Sequence, residues 1–294
     1  MAKRTENLKA LPMSFAALAA EPLFHIGNFP VTNSMINAWI ATGFFVVIAF
    51  IASRRKSIVP RGIHNIFEAV VEAGVGEMEK VTNNKKKALA FFPFVATIFF
   101  FILVSNWMGL IPGTGTIGFN QLIHGEMELV PLFRPAGADL NFTLAIAVLS
   151  LVVVQAVGIK ATGITNYVSK FVNIRGIFRA IPKGPMAVVV AVIEFFVGLI
   201  EIISEAAKVL SLSLRLFGNV FAGEILMGVM LSLVSVFLPI PFIFLEILVG
   251  VIQATVFAML VLVFLTVATE SHGEHEEEHK EKEGGSEKHL EPSH

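Results

Sequence analysis

Residues 186–230 read MAVVVAVIEFFVGLIEIISEAAKVLSLSLRLFGNVFAGEILMGVM, and the way this stretch folds decides the architecture. It is apolar apart from a few ionisable and amide side chains. Wound as one α-helix it is roughly 65 Å long, twice the ~30 Å hydrocarbon core of a bilayer. Two arrangements fit that length: a hairpin of two spans, or one helix inclined at about 60° to the membrane normal. Between Leu199 and Phe217 there is no Gly or Pro to make a turn. A hairpin would also reverse the side of everything after it and bring the uncharged segment 234–242 inside. A single inclined helix is therefore the expectation.

On either side lie further stretches long enough to cross a bilayer: Met35–Ala52, Ala88–Ile111, Leu140–Ile159 and Pro241–Ala268. The expected fold is an all-α integral membrane protein with about five hydrophobic helices, the last two forming a long inclined antiparallel hairpin. Residues 1–34 are expected to be an N-terminal segment on the outer side, 35–269 the membrane domain, and 270–294 an acidic, His-containing cytoplasmic tail without fixed structure. The composition agrees, with 55% apolar and only 15% charged residues in 294. The absence of cysteine excludes disulfides, thiolate catalysis, iron–sulfur clusters and cysteine-based zinc sites. A net charge of -1 hides an asymmetry, because nine Glu and three Lys in the tail leave +5 on the rest. Residues 1–15 lack the apolar core and cleavage site of a signal peptide. Loop 53–87 holds eight Lys or Arg and loop 160–185 five, whereas loop 112–139 holds only Arg134. The two basic loops belong inside, which puts the N-terminus outside and the tail inside.

Within loop 53–87, Ile63, Ile66, Phe67, Val70 and Val71 recur at helical spacing, with Glu68 and Glu72 off that face. The segment reads either as an amphipathic helix on the inner membrane surface or as a plain connecting helix. Ionisable residues at membrane depth are costly and persist where they pair, line water or move ions. The long helix carries Glu194, Glu201, Glu205, Lys208, Arg215 and Asn219. At about 100° per residue these fall within a sector of about 80°, a polar stripe on an otherwise apolar rod. Glu224 lies half a rotation from Arg215, and Glu246 and Gln253 share one face of the last helix. Arg215 matters most, because a guanidinium stays charged whatever surrounds it, can hold a carboxylate ionised and repels a passing cation. The plainer alternative is a structural ion pair with one of the glutamates.

The run Leu210-Ser211-Leu212-Ser213-Leu214-Arg215-Leu216-Phe217-Gly218-Asn219, continued by Val220-Phe221-Ala222-Gly223-Glu224, closely resembles the signature of subunit a of F-type ATP synthases. Asn106-Trp107-Met108-Gly109-Leu110-Ile111-Pro112 is similar to the end of that family's second span, and Asp139-Leu140-Asn141-Phe142-Thr143-Leu144 to the start of its third. The resemblance covers about residues 20–270. It implies a stator subunit with two aqueous half-channels that end at a rotating c-subunit ring, each ring subunit bearing one membrane carboxylate. Protons or sodium ions would enter by one half-channel, ride the ring and leave by the other. The resemblance makes Arg215 the arginine that blocks leakage between the half-channels and frees the ion from the arriving carboxylate. It also makes Glu224 the half-channel glutamate, Asn219 the asparagine one turn beyond the arginine, Gln253 the glutamine facing it, and Glu201 a glutamate near the inner half-channel. Glu246 stands where many bacterial members have His, which puts a His relay in doubt, and Gly109 replaces an acidic residue of some members, a departure read as minor. Implied partners are the c-ring, b-type peripheral stalk subunits and lipid, in a bacterial inner membrane, with no nucleic acid, cofactor or metal. In an antiparallel hairpin, Arg215 opposite Gln253 and Glu224 opposite Glu246 both centre near Val234–Ser235, and Pro241 suits a helix start. That register predicts Glu224 and Glu246 in the outer half-channel, sharing one proton. The plainer reading has Glu224 simply bonding a neighbouring helix.

Other signals carry less. His275-Glu276-Glu277-Glu278-His279 fits a zinc-protease pattern, but a charge-rich tail offers no apolar face to hold a third ligand. Asn141-Phe142-Thr143 fits a glycosylation sequon, yet opens a span. No phosphate-binding loop of the GxxxxGK[ST] type occurs, so ATP falls to another subunit. Two rivals remain: a secondary transporter binding an anion at Arg215, which calls for repeats and broken helices, and an intramembrane hydrolase, for which no His lies in any span.

Overall fold

The computed structural model describes residues 20, 22–53, 63–111, 117–123, 126–164, 167, 185–233, 237 and 239–269. The tail 270–294, most of loop 160–185 and the first nineteen residues lie outside the described residues. The helices are α1 (Asn33–Ser53), α2 (Ile63–Thr82), α3 (Lys85–Met108), α4 (Leu140–Thr162), α5 (Pro185–Leu233) and α6 (Pro239–Thr269). Five of them, all but α2, are long and apolar enough to cross a membrane, and the chain is an all-α integral membrane protein. The stretch that decides the architecture is one continuous helix of 49 residues, not a hairpin. Two short strand pairs go beyond the helical reading: β1 (Pro22–Ile26) with β2 (Phe29–Thr32), and β3 (Gly118–Ile123) with β4 (Glu126–Pro131), both antiparallel. The first closes on a two-residue turn where Gly27 takes a φ of +64°, a left-handed conformation that glycine adopts without strain.

The chain divides into two compact units. One comprises residues up to Ser150 together with Ala207–Leu260. Here α2 packs on α3 through Val75, Met78 and Thr82, buried at helical spacing, while Val70 and Val71 stay exposed. Gly74 permits the approach, since a Cβ there would lie 2.8 Å from Phe92 Cε2. Asn84 caps α3, its side-chain oxygen accepting from the Lys86 and Lys87 amides at 2.9 and 3.2 Å. On α6, Gly250, Ala254 and Ala258 make a buried small-residue stripe of period four. Such a stripe lets helices approach closely where no hydrophobic effect separates helix from lipid. The indole of Trp107 seats against Gly250 and donates to the Ile247 carbonyl at 3.2 Å.

The other unit comprises Leu151–Ala206 and residues from Val261 onward. Its buried side chains include Val154, Val261, Leu262 and Leu265. Gly158 makes room for the Tyr167 ring, whose Cε2 would sit 2.6 Å from a Cβ at that position.

Candidate functional site

Arg215 stands on an exposed face of α5 beside Ser211, Leu214, Gly218, Asn219 and Ala222. Its Nη2 reaches Ser211 Oγ, one turn back, at a long 3.4 Å. Among the described residues no carboxylate pairs with it. Four residues further on, Asn219 donates from Nδ2 to Gln253 Oε1 at 2.6 Å. Gln253 is only 4% exposed, and its Nε2 has no hydrogen-bond partner among the described residues. The oxygen of this glutamine is engaged by Asn219, one turn beyond Arg215 on the same stripe. Ser213 lies on the opposite, buried side of α5, its hydroxyl 3.2 Å from that of Thr143 on α4.

Nearer the α5–α6 turn, Glu246 lies against Gly223: a Cβ at Gly223 would come 2.5 Å from both carboxylate oxygens. Asn219 opposite Gln253 and Gly223 opposite Glu246 confirm the antiparallel pairing of α5 and α6. Glu224, the next residue, is engaged elsewhere. Arg134 donates from Nε to both of its oxygens at 3.1 Å, and Nη2 lies 3.1 Å from Oε2. The Arg134 side chain is 3% exposed and that of Glu224 22%.

The backbone that carries Arg134 is tied down on three sides. Its carbonyl accepts from Asn37 Nδ2 of α1 at 2.8 Å. Asp139 accepts from Ser34 Oγ at 2.8 Å and caps α4 through the Asn141 amide at 2.9 Å. The turn Ala136–Ala138 wedges between α3 and α5, where a Cβ on Gly137 would meet Val220 Cγ2 at 2.9 Å and Asn106 Oδ1 at 3.1 Å. Gly109, read from sequence as a minor departure, has a structural job here: a Cβ on it would lie 2.8 Å from Pro135 Cβ.

Glu201 lies in the other unit with a second polar group of side chains. Tyr167 donates its hydroxyl to Gln155 Oε1, and Gln155 Nε2 donates to Glu205 Oε2 at 3.2 Å. Burial, then the charges of Glu205 and Glu201, push the Tyr167 hydroxyl above the ordinary 10.0. The structure thus places all six residues singled out in the sequence, joins Asn219 to Gln253, and sets Glu246 beside the residue preceding Glu224. Sequence reasoning missed Arg134, Gly109, Gly223, Gln155 and Tyr167 as parts of these groups. Only Arg134 carried a signal, as the single basic residue in its loop.

Bilayer-length helices, with amide and carboxylate side chains where two antiparallel helices meet, define a multi-pass membrane protein. Residues 35–266 match the ATP synthase A chain family, and the chain belongs to that family. It is 30% identical over 250 residues to the ATP synthase subunit a of Moorella thermoacetica, covering 85% of this chain and 96% of that one. It is 29% identical over 259 residues to an ATP synthase subunit a 2 of a Bradyrhizobium species, covering 88% and 98%.

Proposed function

We propose that this chain is the stator subunit of the ATP synthase membrane sector and carries ions to and from a rotating c-subunit ring. Family membership and the names of its relatives support that assignment. The observation that carries the mechanism is Arg215, a permanent cation on an exposed face of α5 with no carboxylate partner among the described residues. A guanidinium at membrane depth is costly unless an anion meets it. A ring carboxylate passing that face supplies the anion, gives up its ion there, and takes another beyond. Small neighbours, Ser211, Gly218 and Ala222, leave room for a close approach.

In this reading Glu224 and Glu246 line the outer half-channel, Asn219 and Gln253 stand beside the arginine, and Glu201 stands near the inner half-channel. Arg215 separates the two against direct leakage of protons or sodium ions. The transporter rival is weakened because α5 is unbroken for 49 residues around Arg215. The subunit has no catalytic site of its own, the soluble sector making the ATP, and b-type stalk subunits hold it against the ring. The reading sets the chain in a bacterial inner membrane, and the two basic loops support an N-terminus outside and a tail in the cytoplasm.

The test is ATP synthesis in vesicles driven in turn by a proton and by a sodium gradient. Arg215→Ala is expected to abolish synthesis under the driving ion. Intact synthesis across a tight membrane in that variant refutes the mechanism, and the gradient that works identifies the ion.

A further inference from the structure

The two outer carboxylates are not equivalent. Both oxygens of Glu224 accept hydrogen bonds from Arg134, which is itself buried and anchored through Asn37. Glu246, against the neighbouring Gly223, has no hydrogen-bond or ion-pair partner among the described residues. A guanidinium donating to both oxygens of a carboxylate pairs with its negative charge, so of these two acids Glu224 is the one held as an anion. A two-oxygen contact with arginine also fixes the carboxylate's orientation as well as its charge.

We infer that Arg134 is a positioning residue which holds Glu224 as the fixed anion of the outer path, so that Glu246 is the acid which exchanges the proton. The inference rests on the proposed stator function with protons as the driving ion. A proton arriving from the outer side bonds to a Glu246 carboxylate oxygen, and that O–H bond breaks as the proton passes on toward the ring carboxylate. Throughout, Glu224 keeps its negative charge against Arg134. The Arg134–Glu224 pair is neutral as a unit and attracts no counter-ion into the path. The backbone carbonyl of Arg134 is held by Asn37 on α1, and Asp139, five residues on, caps α4 and accepts from Ser34. Loss of either partner alone is harmful. Without Glu224 the uncompensated guanidinium repels incoming protons, and without Arg134 the freed carboxylate competes with Glu246 for them.

The experiment uses the whole ATP synthase in vesicles and reads proton-driven ATP synthesis per assembled complex, with the amount of complex measured separately. Arg134→Gln and Glu224→Gln should each lower turnover per complex by about tenfold or more, while Arg134→Lys retains most of it. The double variant Arg134→Gln/Glu224→Gln should regain most of the lost turnover, because the site is neutral again. Glu246→Gln should lose turnover, and adding Glu224→Gln should not restore it. Three results overturn the inference: a double variant as inactive as Glu224→Gln, which makes Glu224 the carrier; pair variants, the double included, that change only the amount of complex, which makes the pair structural; or full turnover in Glu246→Gln. Failure of the function itself reads differently, as synthesis that survives Arg215→Ala.

Discussion

A glycine's missing Cβ sets the position of Glu246. Gly223 leaves the carboxyl group room against the backbone of α5, and the smallest possible side chain there would come within 2.5 Å of it. Gly223→Ala should therefore push Glu246 away from the path while leaving the fold intact. Displacing a reacting group by a fraction of a helix turn costs on the order of tenfold or more in rate, and ATP synthesis per assembled complex measures it. Normal synthesis in that variant would remove Glu246 from the site. Gly109 is the second case. Restoring an acidic side chain by Gly109→Asp forces Pro135 away and shifts the backbone that aims Arg134. Overpacking of that kind costs about 1–3 kcal/mol, to be read as a lower thermal midpoint of the solubilised complex. Arg215, Glu224, Glu246 and Gln253 were legible in the sequence because charge and amide groups stand out in apolar helices. The glycines were not, because what they contact comes from another segment of the chain.

Among the elements, α5 was read correctly as one helix from its length and from the lack of a turn residue. The hairpin of α5 and α6 was also legible, since an antiparallel pair obeys a fixed register. The hydrogen-bond partner of Gln253 was not legible in the same way. A register fixes which turns meet, but the choice between Arg215 and Asn219, one turn apart on the same stripe, is made by side-chain reach. Asn219 holds the Gln253 oxygen at 2.6 Å, and Arg215 is left facing outward. The β1–β2 pair went unread although Gly27-Asn28 between short apolar runs is a recognised turn signal. The cap of α3 gives a simple check on element stability. Asn84 satisfies two otherwise unbonded amides, those of Lys86 and Lys87. Asn84→Ala should destabilise the α2–α3 junction by about 1 kcal/mol, seen as a small drop in thermal midpoint with turnover per complex unchanged.

Among the described residues of the whole molecule, each compact unit holds a polar group of its own. The group in the unit formed by Leu151–Ala206 and residues from Val261 onward holds the chain's single tyrosine. Tyr167 loses its proton at a higher pH than usual, because burial and the charges of Glu205 and Glu201 all disfavour the phenolate. The folded state thus keeps this proton longer than the unfolded chain does. Its contribution to stability is complete below pH 10.0 and is lost as the pH rises through the raised value. Tyrosinate absorbance that differs between wild type and Tyr167→Phe should emerge only above that pH. The same substitution should flatten the alkaline fall in thermal stability. A difference spectrum already present near pH 10.0 would show that the phenol is not shielded.

By itself the sequence determined that this is a helical membrane protein, how many bilayer-length helices it has, which residues put charge among them and which family it resembles. Those properties depend on local composition and spacing, and hydrophobicity over about twenty residues needs no knowledge of neighbours. Only the tertiary structure decided which charges meet. Arg134 and Glu224 are ninety residues apart, so nothing in either local stretch announces the pair. Their contact exists because Asn37, Ser34 and Asp139 fix one loop against α1 while Gly109 and Gly137 let it press between α3 and α5.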